Sequence, residues 1–314
     1  MSVTPVIEAV GLRKAYARTV ALDGLDLRVE QGEVFGLLGP NGAGKTTAIK
    51  LLLGLSRPTG GRATVLGLPL GARAARRRTG YLPELFRYPA WLTAAEVLRL
   101  HCQLAGLPRA RWRAEIDGAL GTVGLADRGG DRVSSFSKGM QQRLGLGVAL
   151  LGEPELVILD EPTSALDPLG REDVRAITRA ARDRGATIVL NSHMLGEVER
   201  LCDRVAIVHQ GRAVASGGLR ELLGPPSVRL RITRLPEAPA LLSRFASVSG
   251  DGDWLVLHAI DTERIPDLVA TVVAAGGRVH AVELVQRSLE DLFLEVVRSA
   301  PTARTVDQRM GPAA

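Results

Sequence analysis

The sequence predicts an α/β protein in which helices cover both faces of a parallel sheet, followed by a smaller α+β domain. Two observations carry this prediction. First, the predominantly apolar runs Val34–Leu38, Leu156–Leu159 and Thr187–Asn191 indicate strands buried on both faces. Second, segments with helical periodicity separate these runs, as expected where helices connect parallel strands. The chain has 314 residues, 46% of them hydrophobic, which is enough for two such domains.

The first predicted elements are strands followed by a helix, and each is indicated by the spacing of its apolar residues. Val6–Val10 is a short apolar run, and Val20–Val29 alternates with the period of two that is typical of a strand or hairpin. A glycine-rich loop follows Val34–Leu38, and apolar residues then recur at helical spacing over Thr46–Leu53. Glycines and a proline between Gly54 and Gly61 indicate a turn region.

Helices dominate the middle of the chain. One is predicted over Thr93–Leu107, opened by the capping box Thr93-Ala-Ala-Glu96. Gly185 ends a second predicted helix, Asp173–Arg184. The remaining predicted elements of this part are helices at about 109–123, about 139–151 and near Gly196–Cys202, and a strand at Val205–Val208.

The pattern changes after residue 223, where Gly224-Pro225-Pro226 is a plausible linker. Three strands and two helices are predicted beyond it, which together make a small, ferredoxin-like α+β unit: Val228–Ile232, Trp254–His258, Val279–Val285, Glu263–Ala275 and Ser288–Val297. We therefore expect a first domain at residues 1–223, an accessory domain at 224–300 and a disordered tail at 301–314.

Composition excludes several classes of protein. The two cysteines, Cys102 and Cys202, form no Cys-x-x-Cys motif, which argues against a disulfide framework and a structural zinc site. No apolar run approaches the ~18 residues of a membrane span, and the N-terminus does not resemble a signal peptide. The net charge of +6 is too small to indicate nucleic-acid binding. We expect a protein of the reducing cytoplasm that binds no nucleic acid.

A phosphate-binding loop follows the first buried strand. The pattern G-x-x-x-x-G-K-[ST] is matched by Gly39-Pro40-Asn41-Gly42-Ala43-Gly44-Lys45-Thr46, with Thr47 next. Glycines let the backbone wrap an anion, so that N–H groups and the helix N-terminus point at phosphate. Lys45 can bridge the β- and γ-phosphates, and the Thr46 hydroxyl can bind Mg²⁺. A chance glycine-rich turn is the alternative, which the flanking strand and helix disfavour.

Two acidic residues end the second buried strand. Asp160 and Glu161 follow Leu156–Leu159, where two charges are expensive to bury unless a cation or polar ligand is near. Asp160 suits coordination of Mg²⁺, and Glu161 can orient or deprotonate an attacking water molecule. The alternative is a solvated strand end with incidental charges. The phosphate-binding loop (P-loop) earlier in the sequence favours the catalytic interpretation.

Further motifs resemble those of the ATP-binding-cassette (ABC) ATPases, in that family's order, over residues 5–223. The family's signature motif is similar to Ser135-Phe136-Ser137-Lys138-Gly139-Met140-Gln141-Gln142-Arg143, and its D-loop to Ser164-Ala165-Leu166-Asp167. His193 matches the family's switch histidine, and Tyr16 matches the aromatic residue that stacks on adenine. The resemblance implies an antiparallel β subdomain and a helical signature subdomain at about residues 85–150. It also implies that Tyr16, Ser137, Gly139 and Asp167 bind ATP together with the P-loop.

Two positions depart from the usual family pattern. The signature contains Ser137-Lys138-Gly139-Met140 where the family often has Ser-Gly-Gly-Gln, a form that resembles the ABC-2 group of exporters. In Gly80-Tyr81-Leu82-Pro83-Glu84, Glu84 occupies the Q-loop position, where glutamine is usual. A carboxylate can still bind Mg²⁺ or accept a hydrogen bond from water. Its added charge is expected to alter hydrolysis or its coupling to transport.

The resemblance implies an ATPase that works as a head-to-tail homodimer around two Mg-ATP. In this family the signature of one subunit closes over nucleotide held by the other, and hydrolysis releases the closed state. Glu161 is then the catalytic base and His193 contacts the γ-phosphate, while Lys45 and Ser137 stabilise transition-state charge. Without span-forming segments, the chain would need a separate integral-membrane permease, whose coupling helix is expected near Glu84–Leu104. The protein would then lie at the cytoplasmic face of the membrane.

The favoured function is the ATPase subunit of an exporter for a drug, antibiotic, lipid or polysaccharide. Two alternatives remain: an ATPase for metal-centre maturation, such as copper delivery to nitrous-oxide reductase, and a soluble non-transport ABC ATPase. Basic residues at Arg73–Arg78 are interpreted as a solvated helix face or as a contact for anionic lipid or the permease. Leu289, Leu292 and Phe293, in a stretch that resembles the end of the extra domain of ABC-2 ATPases, suit core packing or a dimer contact.

Overall fold

A computed structural model describes residues 5–17, 19–164, 166–235, 237–251 and 253–299. These residues divide into two compact units, one of residues up to 216 together with those from 296, and one of Gly217–Glu295. The domain boundary predicted from the sequence, at 223/224, lies a short way beyond the start of the second unit. The predicted disordered tail, residues 301–314, lies outside the described residues.

The first unit contains an antiparallel sheet, a parallel sheet and the helices that connect their strands. Its strands are β1 (Ile7–Tyr16), β2 (Thr19–Val29), β3 (Val34–Leu38), β4 (Gly60–Val65), β5 (Leu68–Pro69), β6 (Thr79–Leu82), β7 (Leu156–Asp160), β8 (Thr187–Asn191), β9 (Arg204–His209) and β10 (Arg212–Gly218). Its helices are α1 (Lys45–Leu52), α2 (Arg73–Arg77), α3 (Ala94–Ala105), α4 (Trp112–Thr122), α5 (Lys138–Ala149), α6 (Pro168–Asp183) and α7 (Leu195–Leu201).

The larger sheet brings three loops of the sequence to one edge. Its strand order is β10-β9-β3-β8-β7-β6, and the pairs from β9 to β6 are parallel. Every residue of β3, β7 and β8 is buried, which confirms the prediction that the apolar runs form covered central strands. Since the strands are parallel, their carboxyl ends share one edge. The P-loop, Asp160-Glu161 and the loop with His193 therefore meet there.

The smaller sheet of this unit is antiparallel, with the order β2-β1-β4-β5. The strands β1 and β2 form a long hairpin whose pairing runs from Ile7 opposite Val29 to Tyr16 opposite Thr19. Fully buried side chains of this hairpin, of α1 and of β3 pack into one apolar core, among them Leu12, Leu25, Ile49, Leu51 and Phe35. This shared core holds the hairpin beside the P-loop.

The helix boundaries follow their capping residues. Thr93 Oγ1 accepts a hydrogen bond from the Glu96 N–H (3.2 Å), and the Glu96 carboxylate accepts one from the Thr93 N–H (2.8 Å), which confirms the predicted capping box. The prediction that α6 begins at Asp173 is wrong, because the helix begins at Pro168. The Asp167 carboxylate caps it by accepting the Gly170 N–H (2.7 Å), and a proline suits the first helical position. No described helix has the length and apolar character needed to cross a membrane.

The second unit is a β-α-β-β-α-β fold. It comprises β11 (Ser227–Thr233), β12 (Ser247–Asp251), β13 (Trp254–His258) and β14 (Arg278–Val285), with α8 (Leu219–Leu223), α9 (Ala238–Leu242), α10 (Ile265–Ala274) and the first part of α11 (Leu289–Ser299). The antiparallel order β12-β13-β11-β14 confirms the ferredoxin-like prediction. Its core includes Val228, Leu230, Leu257, Leu268 and Val272. Of the residues predicted to pack, Leu289 and Leu292 are buried and Phe293 is half-buried, but none of them belongs to this core.

Candidate active site

A cleft of about 530 Å³ opens at the carboxyl edge of the parallel sheet. It brings together the P-loop, the start of β2 and acidic and polar residues from three other loops. The residues that line it are Thr19, Val20, Ala21, Asn41, Gly42, Ala43, Gly44, Lys45, Thr46, Thr47, Glu84, Glu161, Asn191 and His193. Most of the predicted P-loop residues, with Glu84, Glu161 and His193, therefore share one cavity.

The P-loop turns into α1 through a residue that must be glycine. Gly44 has φ 107°, in the left-handed region, and a Cβ built there would lie 2.4 Å from the Ala21 carbonyl oxygen. No side chain caps α1, so the first N–H groups of the helix are available to an anion. The Ala43 N–H donates to the Pro40 carbonyl (3.1 Å), which closes the loop.

Lys45 is buried against the loop from which it projects. Its Nζ donates to the carbonyl oxygens of Gly39 (2.6 Å) and Pro40 (3.2 Å). Burial lowers the pKa of the Lys45 ammonium, and neighbouring carboxylates, Glu161 first among them, oppose that shift. The ammonium is therefore held at the floor of the loop, where a phosphate can replace its carbonyl partners.

Asp160 and Asn191 form a buried pair at the ends of β7 and β8. They are register partners, and Asn191 Nδ2 donates to Asp160 Oδ1 (2.5 Å). Burial raises the pKa of Asp160, while the hydrogen bond from Asn191 opposes that shift and the nearby charge of Glu84 adds to it. Asn191 was not predicted as a site residue. The available signal was its position at the end of the buried run Thr187–Asn191.

The carboxylate of Glu161 is fixed by the loop that carries His193. The Glu161 N–H donates to the Asn191 carbonyl (2.8 Å), and Oε1 accepts from the His193 N–H (2.9 Å). Glu161 Oε2 lies 2.8 Å from His193 Nδ1, while the histidine side chain is 62% exposed. Glu161 has φ 53°, a strained value for a residue other than glycine. The strained backbone and these contacts keep the carboxylate at the cleft.

The cleft suits a hard cation bound together with phosphate. Two buried oxygen atoms, Asn191 Oδ1 and Glu161 Oε2, accept no hydrogen bond from the described residues. Thr46 and Glu84 add further oxygen atoms to the lining, and oxygen ligands are those that Mg²⁺ prefers. Within the described ranges, no group of three or more His, Cys, Asp or Glu side chains could hold a metal by itself. Mg²⁺ typically binds one or two protein oxygens plus substrate phosphates, so these residues fit it.

The predicted signature and D-loop residues lie in a different cleft. Ser137, Gly139 and Asp167 line a cavity of about 440 Å³ that shares no lining residue with the P-loop cleft. Ser137 caps α5, because its Oγ accepts the Met140 N–H (3.2 Å). Within one chain, therefore, the structure does not bring these residues to the P-loop.

Tyr16 lies beside the cleft rather than in its wall. It ends β1 opposite Thr19, which does line the cleft, and it is 44% exposed. Lys14 Nζ stands 4.7 Å from the centre of its ring. The adjoining residues Thr19–Ala21 were not predicted as site residues, because their positions depend on hairpin pairing that no local pattern encodes.

The chain is similar to known ATP-binding proteins of ABC transporters. Residues 22–164 match the family model described as "ABC transporter". The chain is 42% identical to an uncharacterised ABC transporter ATP-binding protein of Nostoc sp., over 96% of this chain and 93% of that protein. It is 35% identical to the Nod factor export ATP-binding protein I of Ralstonia nicotianae, over 93% and 94% of the two chains. A solved structure, "ATP binding subunit of ABC transporter", is similar at a TM-score of 0.64 and 35% identity, over 69% of this chain and 91% of that chain.

Proposed function

Since this chain belongs to the family of ABC transporter ATP-binding proteins, as its motifs predict, we propose that its ATPase activity drives a separate membrane permease in export. The observation that carries the proposal is the cleft in which an uncapped P-loop helix, Lys45 and a fixed carboxylate, Glu161, meet. The name of the Nod factor export relative supports export over metal-centre maturation or a non-transport role. The proposed cargo is a drug, antibiotic, lipid or polysaccharide.

The P-loop supplies the phosphate contacts. The N–H groups from Gly42 to Thr46 and the N-terminus of α1 bind the β-phosphate, and Lys45 moves from its two carbonyl partners to the β- and γ-phosphates. Thr46, Asp160 and Glu84 would hold Mg²⁺, which supplies charge neutralisation between phosphate oxygens. Asn191 Oδ1, which accepts no hydrogen bond from the described residues, supports a polar, hydrated occupant on this side of the cleft.

Hydrolysis uses the pair formed by Glu161 and His193. A water molecule attacks the γ-phosphorus as the bond to the ADP oxygen breaks, and the Glu161 carboxylate takes the proton that the water loses. The His193 backbone N–H orients that carboxylate, and the exposed imidazole is free to contact the γ-phosphate. Lys45 stabilises the charge that develops on the transferred phosphoryl group.

A second copy of the chain completes each site. Ser137, Gly139 and Asp167 lie apart from the P-loop cleft, which supports a head-to-tail homodimer in which they face the nucleotide of the partner. The N-terminus of α5, next to Ser137, would approach the γ-phosphate. Two Mg-ATP would then hold the dimer closed, and loss of the γ-phosphate would open it.

The helical subdomain presents a surface for the permease. Leu85, Trp91 and Leu104, all in or beside the segment Glu84–Leu104, are 88%, 72% and 72% exposed. Exposed apolar side chains gathered in one segment mark interaction sites. We assign this surface to a coupling helix of the permease, whose movement would reach the cleft through Glu84. The protein would thereby be held at the cytoplasmic face of the membrane.

We assign different roles to the two domains predicted from the sequence. We assign ATP binding and hydrolysis to residues 1–223 and an accessory role to 224–300. The two relatives align with most of this chain, which supports a shared accessory domain as well as a shared cassette.

Phosphate release by the purified chain tests the proposed activity. Glu161→Gln should lower the rate by about 100-fold or more, because the amide cannot accept the proton from water. Glu153→Gln is a matched control, since Glu153 also has a left-handed backbone (φ 52°) but is exposed and lies outside the cleft. Hydrolysis by Glu161→Gln at the wild-type rate would contradict the assignment of the base.

A further inference from the structure

The second unit contains a cleft of about 570 Å³ that plays no part in the ATPase site. It lies where β11 ends and β13 begins. Its polar lining residues, here called the polar wall, include Arg231, Thr233, Trp254 and His280. Its apolar lining residues include Leu235, Ala238 and Pro239. A cavity that combines charged and apolar lining residues is suited to an amphiphilic ligand.

The polar wall presents a cation, Arg231, for which the described residues supply no ion-pair partner. The Arg231 guanidinium lies 5.7 Å from the centre of the Trp254 ring, and that of Arg229 lies 4.7 Å from the same ring. Arg229 is also 4.0 Å from the carboxylate of Glu283. Among the described residues, no carboxylate lies within ion-pair distance of Arg231. The Trp254 ring therefore orients a guanidinium that remains available to an anion.

A β-bulge turns a histidine toward the same wall. Arg231 pairs with Ala281 across β11 and β14, but the next residue, Ile232, pairs with Val279. His280 is therefore the extra residue of β14. Bulges of this kind re-aim side chains and are over-represented beside functional sites.

The turn beside the bulge is irregular as well. His280 Nε2 lies 2.9 Å from Thr233 Oγ1, so the two polar side chains are held together at the cleft. Arg234, between the lining residues Thr233 and Leu235, has φ 65°, in the left-handed region. The bulge and this turn thus place Thr233 and His280 beside each other at the cleft.

The positive charge in and around the cleft favours a negatively charged ligand. Among the described lining residues, one arginine, Arg231, and one carboxylate, Asp253, carry charge. The neighbours of the lining add two arginines, Arg234 next to Thr233 and Arg278 as its strand partner, and one carboxylate, Glu237, next to Ala238. We propose that this cleft binds a small amphiphilic anion, with its acidic group at Arg231 and Thr233 and its apolar body against the apolar lining residues Leu235 and Pro239. The proposal is independent of the ATPase assignment.

Two fluorescent probes that differ by one acidic group test this proposal on the full chain. The first is 1-anilinonaphthalene-8-sulfonate, an amphiphilic anion, and the second is N-phenyl-1-naphthylamine, the same aromatic body without the sulfonate. Arg231→Gln should weaken binding of the anionic probe at least about fivefold, because a hydrogen bond to a charged group is lost. Binding of the neutral probe should not change.

The matched control is Arg229→Gln, which removes a guanidinium from the same strand and the same tryptophan ring but does not line the cleft. It should leave the affinity for the anionic probe within about twofold of wild type. Thermal unfolding of each variant checks that it is folded. The proposal is overturned if Arg231→Gln binds the anionic probe like wild type, or if both substitutions weaken it equally.

Discussion

The ion pair between Arg175 and Glu197 connects the helices that follow Asp167 and His193. Arg175 lies on α6 and Glu197 on α7, and one guanidinium nitrogen donates to both carboxylate oxygens of Glu197 at 2.7 Å. The two side chains are only 8% and 9% exposed. Arg175→Met should therefore leave the Glu197 charge buried and unpaired. We predict that the free energy of unfolding falls by about 3–5 kcal/mol, the range for breaking a buried pair.

Urea unfolding followed by circular dichroism measures this loss. The double variant Arg175→Met/Glu197→Leu should recover most of it, because both charges are then replaced by apolar groups. Arg113→Met is the matched control, since Arg113 and Asp117 are 95% and 69% exposed at 3.8 Å and contribute little. A loss for Arg175→Met no larger than that of Arg113→Met would refute the reasoning.

Three further predictions concern the cleft. Gly44→Ala should abolish ATP binding in titration calorimetry, because its Cβ would lie 2.4 Å from the Ala21 oxygen, and unchanged affinity would contradict this. Asp160→Asn should stabilise the nucleotide-free protein at neutral pH. Burial raises the pKa of Asp160, so the folded state binds its proton more tightly and stability falls as pH rises through that pKa. Thermal unfolding across pH should show a flatter profile for the variant than for wild type, and parallel profiles would refute it. Glu84→Gln should raise the Mg²⁺ concentration needed for half-maximal phosphate release, whereas an equal or lower requirement would count against a metal-binding role.

The central strands were predictable because burial on both faces leaves a continuous apolar run. The bounds of β3 and β8 agree with Val34–Leu38 and Thr187–Asn191, and β7 extends the predicted run by one residue, Asp160. The strands β4, β5, β6, β10 and β12 were missed, since none of them carries a long apolar run and each pairs only through tertiary contacts.

The P-loop part of the candidate site could be predicted, because one contiguous motif contains the phosphate-binding residues. Residues that reach the site through the register of paired strands could not be predicted. Asn191 reaches Asp160 only because β8 pairs with β7, and Thr19 reaches the cleft only because the hairpin places it there. The separation of Ser137 from the P-loop is likewise a property of the three-dimensional fold.

The mass of Glu161→Gln in solution tests most directly the claim that two chains share ATP. Light scattering should give twice the monomer mass with Mg-ATP and the monomer mass without it, because bound ATP that is not hydrolysed holds the dimer closed. Adding Gly139→Glu should abolish the dimer by placing a carboxylate opposite the phosphates of the partner's nucleotide. A Cβ at Gly139 meets only ordinary contacts, 3.6 Å at the nearest, so this variant should fold. A chain that binds Mg-ATP yet stays monomeric, or a dimer that survives Gly139→Glu, would contradict the account.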